Sequence, residues 1–264
     1  MNLPPKNFLP LIPHPLISNE TYSDIDDKLD DLKSSAKSGL AIAILIILVW
    51  AISLGFLLNA ADVAQMIWGW KLLAVLVQTF LYTGLFITAH DAMHGSVSPN
   101  HPQINNWVGS FALLLYGLFS YQKLLKAHWQ HHHHPASELD PDFHNGKWKG
   151  AVTWYLYFMV RYWSWWRLFG LITTFYILSR LFHISESNLI WFWIIPSLLS
   201  SIQLFYFGTF LPHREPKAGY TDSFRTQSIY RPLWWSFLTC YHFGYHYEHH
   251  RFPDLAWWQL PKVI

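Results

Sequence analysis

The sequence predicts an all-α integral membrane protein: four transmembrane helices, a re-entrant helical hairpin and interfacial helices, with a histidine-rich di-metal site on the cytoplasmic side. Three observations carry that fold class. Of 264 residues, 52% are hydrophobic and 13% charged, which is too apolar for a soluble domain. Several uncharged runs reach the length needed to cross about 30 Å of hydrocarbon at 1.5 Å per residue. Sixteen histidines, equal in number to all Asp and Glu residues together, gather in short boxes between those runs. The net charge of +2 suggests no nucleic-acid partner. Cys240 is the single cysteine, which excludes an internal disulfide or a cysteine-ligated iron–sulfur cluster, so any electrons must come from another protein.

Taken in order, residues 1–39 are expected to form an N-terminal cytoplasmic tail and 40–264 a membrane-embedded domain. The tail is Pro-rich (Pro4, Pro5, Pro10, Pro13, Pro15), then mixed in charge over a short surface helix within 24–37, and does not read as a signal peptide. Residues 39–58 carry no charge and are the first expected span; 66–88 are the second, with Lys71 near its outer end able to snorkel. Residues 104–121 hold too few apolar residues for a full crossing and read as a half-hairpin that enters and leaves by one side. Residues 151–166, rich in aromatics and carrying Arg161, read as an interfacial helix. Spans at 168–182 and 189–211 follow, the latter kinked at Pro196. This count places both termini and every histidine box on one side. Lys123, Lys126, Lys147, Lys149, Arg214, Lys217, Arg225, Arg231 and Arg251 share it, whereas only Lys71 and Arg180 flank the opposite loops, so the histidine side is cytoplasmic.

The boxes sort by helical phase. His90 and His94 are one turn apart, about 40° around the helix, at the mouth of the second span. In the run 128–134, His131 and His132 share a face with His128, while His133 points opposite and His134, before Pro135, falls off the sector. His213 ends the last span. On one helix over 241–251, His242, His246, His249 and His250 occupy a sector of about 100°, His242 being the less certain member. Asp140 and Asp142 follow the second box; they can orient imidazoles by accepting a second N–H, or be solvated turn residues. Asp91 and Glu248, inside the boxes, are candidates for the same orienting role. Nine or ten imidazoles exceed what one metal needs, so they argue for two, and two Fe2+ ions with dioxygen as co-substrate is the economical solution. A histidine-rich metal transporter is the remote alternative, disfavoured because the spans carry almost no carboxylates.

The pattern H-x-x-x-H, H-x-x-H-H and H-x-x-H-H between such spans resembles the membrane-bound fatty acid desaturase-like superfamily of di-iron oxygenases, over roughly residues 40–261. Within it, the runs 90–95, 140–144, 207–214 and 241–250 and the ending Trp257-Trp258-Gln259-Leu260-Pro261 resemble the β-carotene ketolase family of bacteria and cyanobacteria. The resemblance implies oxygen insertion at ring carbon 4 of β-carotene, giving echinenone and then canthaxanthin through two hydroxylations and loss of water. It also implies a carotenoid drawn from the bilayer, a ferredoxin as external electron donor, and residence in a bacterial inner or thylakoid membrane. The position where desaturases often carry a weak Asn ligand is Thr209 here, and Ala256 and Gln259 depart from the ketolase pattern. A carotenoid 3-hydroxylase or a fatty acyl desaturase or hydroxylase would share the same histidines.

Overall fold

Residue 32, residues 38–60 and residues 62–264 are described in the computed structural model of the chain. The expected tail, with its surface helix and the Lys28, Lys33 and Lys37 that accompany it, lies outside the described residues except for Leu32. That residue packs against Tyr245, Leu255 and Leu260. Among the described residues every regular element is helical.

Helix α1 (Gly39–Asn59) and helix α2 (Trp68–Met93) are both long and apolar enough to cross a bilayer. Their outer sides stay exposed, as at Ile52, Phe56 and Leu76, while Trp50, Tyr82, Leu85 and Ile87 form the inner core. The two helices run antiparallel. The start of α1 abuts the segment just past α2, where a side chain at Gly39 would meet the Val97 and Ser96 carbonyls at 2.6 and 2.8 Å. Lys71 does not snorkel into water. It is buried, with Nζ 4.4 Å from the Trp68 ring and 5.2 Å from that of Trp191, so two aromatic faces replace solvent around the cation.

Helix α3 (Pro102–Gly117) and helix α4 (Tyr121–His133) meet at a bend of 102°. Leu118, left-handed at φ 57°, makes the bend, and the Tyr121 ring fills the space that Gly109 leaves by lacking a Cβ. The interfacial segment expected at 151–166 is two elements. Helix α5 (Ala151–Arg161) stops at a break, and Trp165 and Trp166 begin helix α6 (Trp165–Arg180), whose Ser164 caps the Arg167 N–H. At 16 residues α6 is shorter than the three helices that satisfy both length and composition for a crossing.

Helix α7 (Glu186–His213) is the third such helix. Its start is tied to the end of α1 by the Asn188 amide, which donates to the Leu57 and Leu58 carbonyls at 3.2 and 3.1 Å and so satisfies groups that the ending helix leaves open. The kink expected at Pro196 appears as a π-helical turn over Ile190–Ile194, and a second one over Phe205–Phe210 precedes Pro212. In each case proline removes an N–H four residues downstream of a carbonyl in the wide turn. Polar side chains bind the bundle internally: Thr83 Oγ1 donates to Gln203 Oε1 at 2.6 Å, and Gln203 Nε2 donates to the Thr239 carbonyl at 2.6 Å. Thr239 belongs to helix α8 (Leu233–Cys240), which exposes Leu233, Trp234 and Leu238.

The single helix expected over 241–251 is interrupted. Tyr241 and His242 both adopt positive φ, 46° and 60°, and helix α9 begins only at His246 (His246–Arg251). The reversal seats the Tyr241 ring flat on Phe80, with centroids 4.4 Å apart, and over Gly84.

These close approaches predict a contrast between two glycines. Gly109→Ala should destabilise the protein by about 1–3 kcal/mol, because the methyl must displace the buried Tyr121 ring. Gly55→Ala, with open space around it, should hold or raise stability. Thermal unfolding in detergent measures both.

Candidate metal centre

Four helix ends converge to build the centre. The last turn of α2 carries His90, with His94 as its C-cap, and the helix stops because Gly95 takes φ 79°. The Ser96 N–H then reaches back to the Asp91 carbonyl at 3.0 Å, closing the last turn. Helix α4 presents His128, His131 and His132 inward and leaves His133 and His134 exposed, as the helical phase requires. Helix α7 ends on the buried His213, and α9 supplies His246, His249 and His250, all buried.

Nine imidazoles fall into two groups, in each of which the ligand atoms lie within 4.8 Å of one another. The first comprises His90, His94, His128, His132 and His249; the second comprises His131, His213, His246 and His250. The groups adjoin, with the His132 and His250 rings stacked at 4.3 Å between centroids. Nε2 atoms face each other at 2.6 Å for His94 and His128, 2.9 Å for His213 and His246, 3.0 Å for His132 and His249, and 3.2 Å for His131 and His250. His242 joins neither group. Its ring lies near those of Trp257 and Phe237, carried there by the positive φ that ends the run of helix expected from sequence.

Partners on the far ring nitrogen decide which way the lone pairs point. The Asp140 carboxylate accepts from His131 Nδ1 at 3.0 Å, and the Arg225 carbonyl accepts from His213 Nδ1 at 3.2 Å. In the neutral form each of these rings turns an unprotonated Nε2 into the second group, although, against the burial of His131, the carboxylates of Asp140 and Asp142 raise its basicity. Asp140 also accepts the N–H groups of Ala136 and Asp142, each at 2.8 Å, so one carboxylate folds the loop against the end of α4 while bracing its ligand candidate. Burial opposes the charge on Asp140, but the His131 imidazole prevails and holds its carboxyl below the usual range. Burial pushes Asp142 up to about 6; its carboxylate accepts from the Tyr162 hydroxyl and stands 3.9 Å from His131 Nδ1.

The other carboxylates flagged by sequence act differently. Asp91 lies 3.5 Å from His90 Nδ1, a marginal contact, and accepts the Trp257 N–H at 3.2 Å, tying the C-terminal motif to α2. Glu248 takes the Ser228 and Tyr230 hydroxyls rather than an imidazole, and so fastens the preceding loop to α9. Thr209 lines a neighbouring cavity. Ser228, Tyr230, Tyr162 and the Arg225 carbonyl carry no signal in the sequence, because each acts from a loop or helix break without periodicity.

The donor set fits metal. Burial, reinforced by neighbouring imidazoles, drives the basicity of His246, His249 and His250 well below the usual value, so these rings are neutral and available as ligands. His90 Nε2 is buried without a hydrogen-bond partner. Two nitrogens bound at about 2.1 Å to one cation and at right angles would stand about 3 Å apart, matching the Nε2 pairs. Groups of five and four nitrogen donors suit iron, copper, nickel or zinc rather than calcium or magnesium.

Beside the groups lies a cavity of about 200 Å³ that touches His90 and His128 of the first and His131 and His246 of the second. Phe86, Tyr116, Phe119, Met159, Leu171 and Phe205 make it apolar.

Comparison with known proteins adds relatedness to this geometry. The family model described as fatty acid desaturase matches residues 66–188 and 160–263. The β-carotene 4-ketolase of Protosiphon botryoides is 42% identical over 200 residues, 74% of this chain and 51% of that protein. The β-carotene ketolase of Haematococcus lacustris is 43% identical over 192 residues, 70% of this chain and 59% of that protein. That of Paracoccus sp. strain PC1 is 43% identical over 236 residues, 85% and 90% of the two chains. The chain thus spans little more than half the length of the Protosiphon and Haematococcus relatives.

The grouping predicts a sharp contrast inside one box. Metal analysis of the purified protein should find two ions per chain, retained in His133→Ala and lost in part or whole in His131→Ala. Asp140→Asn should weaken metal retention about 10- to 100-fold against a chelator, since it removes the carboxylate that orients His131.

Proposed function

The chain belongs to the fatty acid desaturase family, and on that premise we propose that it is a membrane-bound di-iron oxygenase that ketolates β-carotene at ring carbon 4. The observation that carries this reading is an apolar cavity opening directly onto imidazoles of both groups. Iron bound by the nine histidines would supply the oxidation of an unactivated C–H bond, with dioxygen as co-substrate.

The remaining work falls to the protein. Phe86, Phe119, Phe205 and their neighbours exclude water and hold one end of the substrate against the histidines. A volume of about 200 Å³ is smaller than the usual pocket for a drug-sized ligand, so it suits one ring of a carotenoid and leaves the polyene outside. Two hydroxylations at one carbon give a geminal diol, which loses water to the ketone. Both rings of β-carotene are chemically alike, so the molecule must be released and rebound, or slid through, for the second end to react.

The same reading extends to the membrane. Residues 40–264 act as one membrane-embedded unit with four crossings. α6 serves as the fourth, because the chain must return from the histidine side to the start of α7, where Arg180 pairs with Glu186 at 3.0 Å. The bent pair α3–α4 is re-entrant, since the exposed face of α4 is polar and basic. The histidines lie on the cytoplasmic side, favoured by the concentration of Lys and Arg there. An external one-electron carrier, ferredoxin-like, supplies the electrons.

In a bacterium that already makes β-carotene, expression should produce the mono-ketone echinenone first and the di-ketone canthaxanthin later, with both steps stopping when oxygen is withdrawn. Alanine at His128 or His246 should abolish both products. Zeaxanthin without ketone would assign a 3-hydroxylase, and unchanged carotene beside newly unsaturated lipid a fatty acyl desaturase. Cysteines introduced at Gln65 and Ser185, both exposed, should be labelled from the opposite side of the membrane to those at Asn145 and Lys217.

A further inference from the structure

The outer face of α4 has a composition that its packing does not explain. At about 100° per residue, Gln122, Lys123, Lys126, Gln130 and His133 share the sector opposite His128 and His131. All five are exposed, and among the described residues no carboxylate pairs with Lys123 or Lys126. A further cation stands at the helix end, where the Arg225 guanidinium donates to the Ala136 carbonyl at 3.1 Å.

Trp129 sits between this face and the metal groups, about 60° around the helix from Lys126 on one side and about 60° from His132 on the other. Its half-buried ring lies 5.2 Å from that of His94 and 5.8 Å from that of His132, both in the first group. Toward solvent it stacks on the exposed His133 ring at 5.8 Å and 29°. One aromatic side chain thus touches two ligand candidates and reaches the protein surface.

Resting on the oxygenase reading above, we propose that the outer face of α4 is the docking surface for an acidic one-electron carrier protein, with Trp129 as the point where electrons enter. The chemistry requires such a port. Each hydroxylation takes up the substrate C–H, dioxygen, two electrons and two protons, and yields C–OH and water. Each electron leaves one reduced carrier, which is oxidised by one electron, and reduces the metal centre by one, with no bond made or broken at Trp129. The unpaired lysines favour a partner of opposite sign, and steering by exposed charge accelerates the encounter.

The test uses the full metal-loaded chain in phosphatidylcholine nanodiscs and a plant-type [2Fe–2S] ferredoxin of net negative charge. The double variant Lys123→Glu/Lys126→Glu should raise the Kd for ferredoxin at least tenfold at low salt, with the difference collapsing at high salt, while metal content and thermal stability stay at parental values. Trp129→Leu should leave that Kd unchanged but slow the reoxidation of reduced ferredoxin, followed by stopped-flow absorbance, at least tenfold at equal metal content. Trp129→Phe should restore most of the rate. A parental Kd in the double variant would overturn the docking surface, and so would a variant that binds ferredoxin normally but loses stabilisation by phosphatidylglycerol, which would assign the lysines to lipid. Reoxidation at the parental rate in Trp129→Leu would overturn the entry point; should that variant lose part of its metal, a parental rate per bound metal ion overturns it instead. Binding and reoxidation that persist without any ketone formed would remove the ketolase reading and leave the port standing.

Discussion

The structure depends on one constraint: nine imidazoles are packed against one another in a space that supplies few other partners for their nitrogens. A buried polar group without a hydrogen bond costs free energy, and imidazoles whose Nε2 atoms face each other at 2.6–3.2 Å are placed to hold cations between them. Several neighbouring groups hold ring nitrogens in that orientation. Asp140 and the Arg225 carbonyl occupy the outer nitrogens of His131 and His213, and the turn at Gly95 ends α2 where its last histidine meets α4. The second π-helical turn, Phe205–Phe210, lies just ahead of His213 and adjusts the phase with which α7 delivers it.

Convergence of four helix ends on one site demands that the helices be fixed against sliding, which lipid does not provide. Apolar contacts between membrane helices gain little from leaving a solvent that is itself apolar, so close packing and buried hydrogen bonds carry more of the burden. That accounts for the placement of Thr83, Gln203 and the Thr239 carbonyl in one chain across α2, α7 and α8, and for Ser53 donating to Gln78 at 2.9 Å between α1 and α2. Asn188, at the opposite end of the bundle from the histidines, locks α7 to the end of α1.

What could be read from the sequence follows from which features are periodic. Helical phase separates His131 and His132 from His133 in a run of four identical residues, because a regular helix turns by a constant angle and α4 is regular to its end. The same arithmetic fails at 241–251, where the chain does not form one helix. Two residues with positive φ carry no signature in the sequence, and Tyr241 adopts that conformation for the sake of contacts with Phe80 and Gly84, some 160 residues away. Helical phase accordingly groups His242 with histidines that it does not approach. The split of 151–166 into two helices, the burial of Lys71 between two tryptophans and the use of Glu248 by Ser228 and Tyr230 are likewise tertiary choices.

The surroundings of the metal groups are unequal in a way that orders the chemistry. On one side the groups meet an apolar cavity walled by Phe86, Phe119 and Phe205, continuous with helices whose outer faces suit lipid. Across α4 the surface is Lys, Gln and His, suited to water and to a charged partner. A helix only about 10 Å across, side chains included, therefore divides an apolar compartment from an aqueous one, with imidazoles on its inner face. An apolar substrate and a water-borne reductant can approach such a centre from different sides without sharing a path. On the same reading water would not need to enter the cavity for electrons to arrive, because electron transfer through packed side chains needs contact rather than a channel. On the oxygenase reading, that separation would keep the centre dry toward the carbon it attacks, and it follows from the alternation of histidine with lysine, glutamine and tryptophan along one short helix.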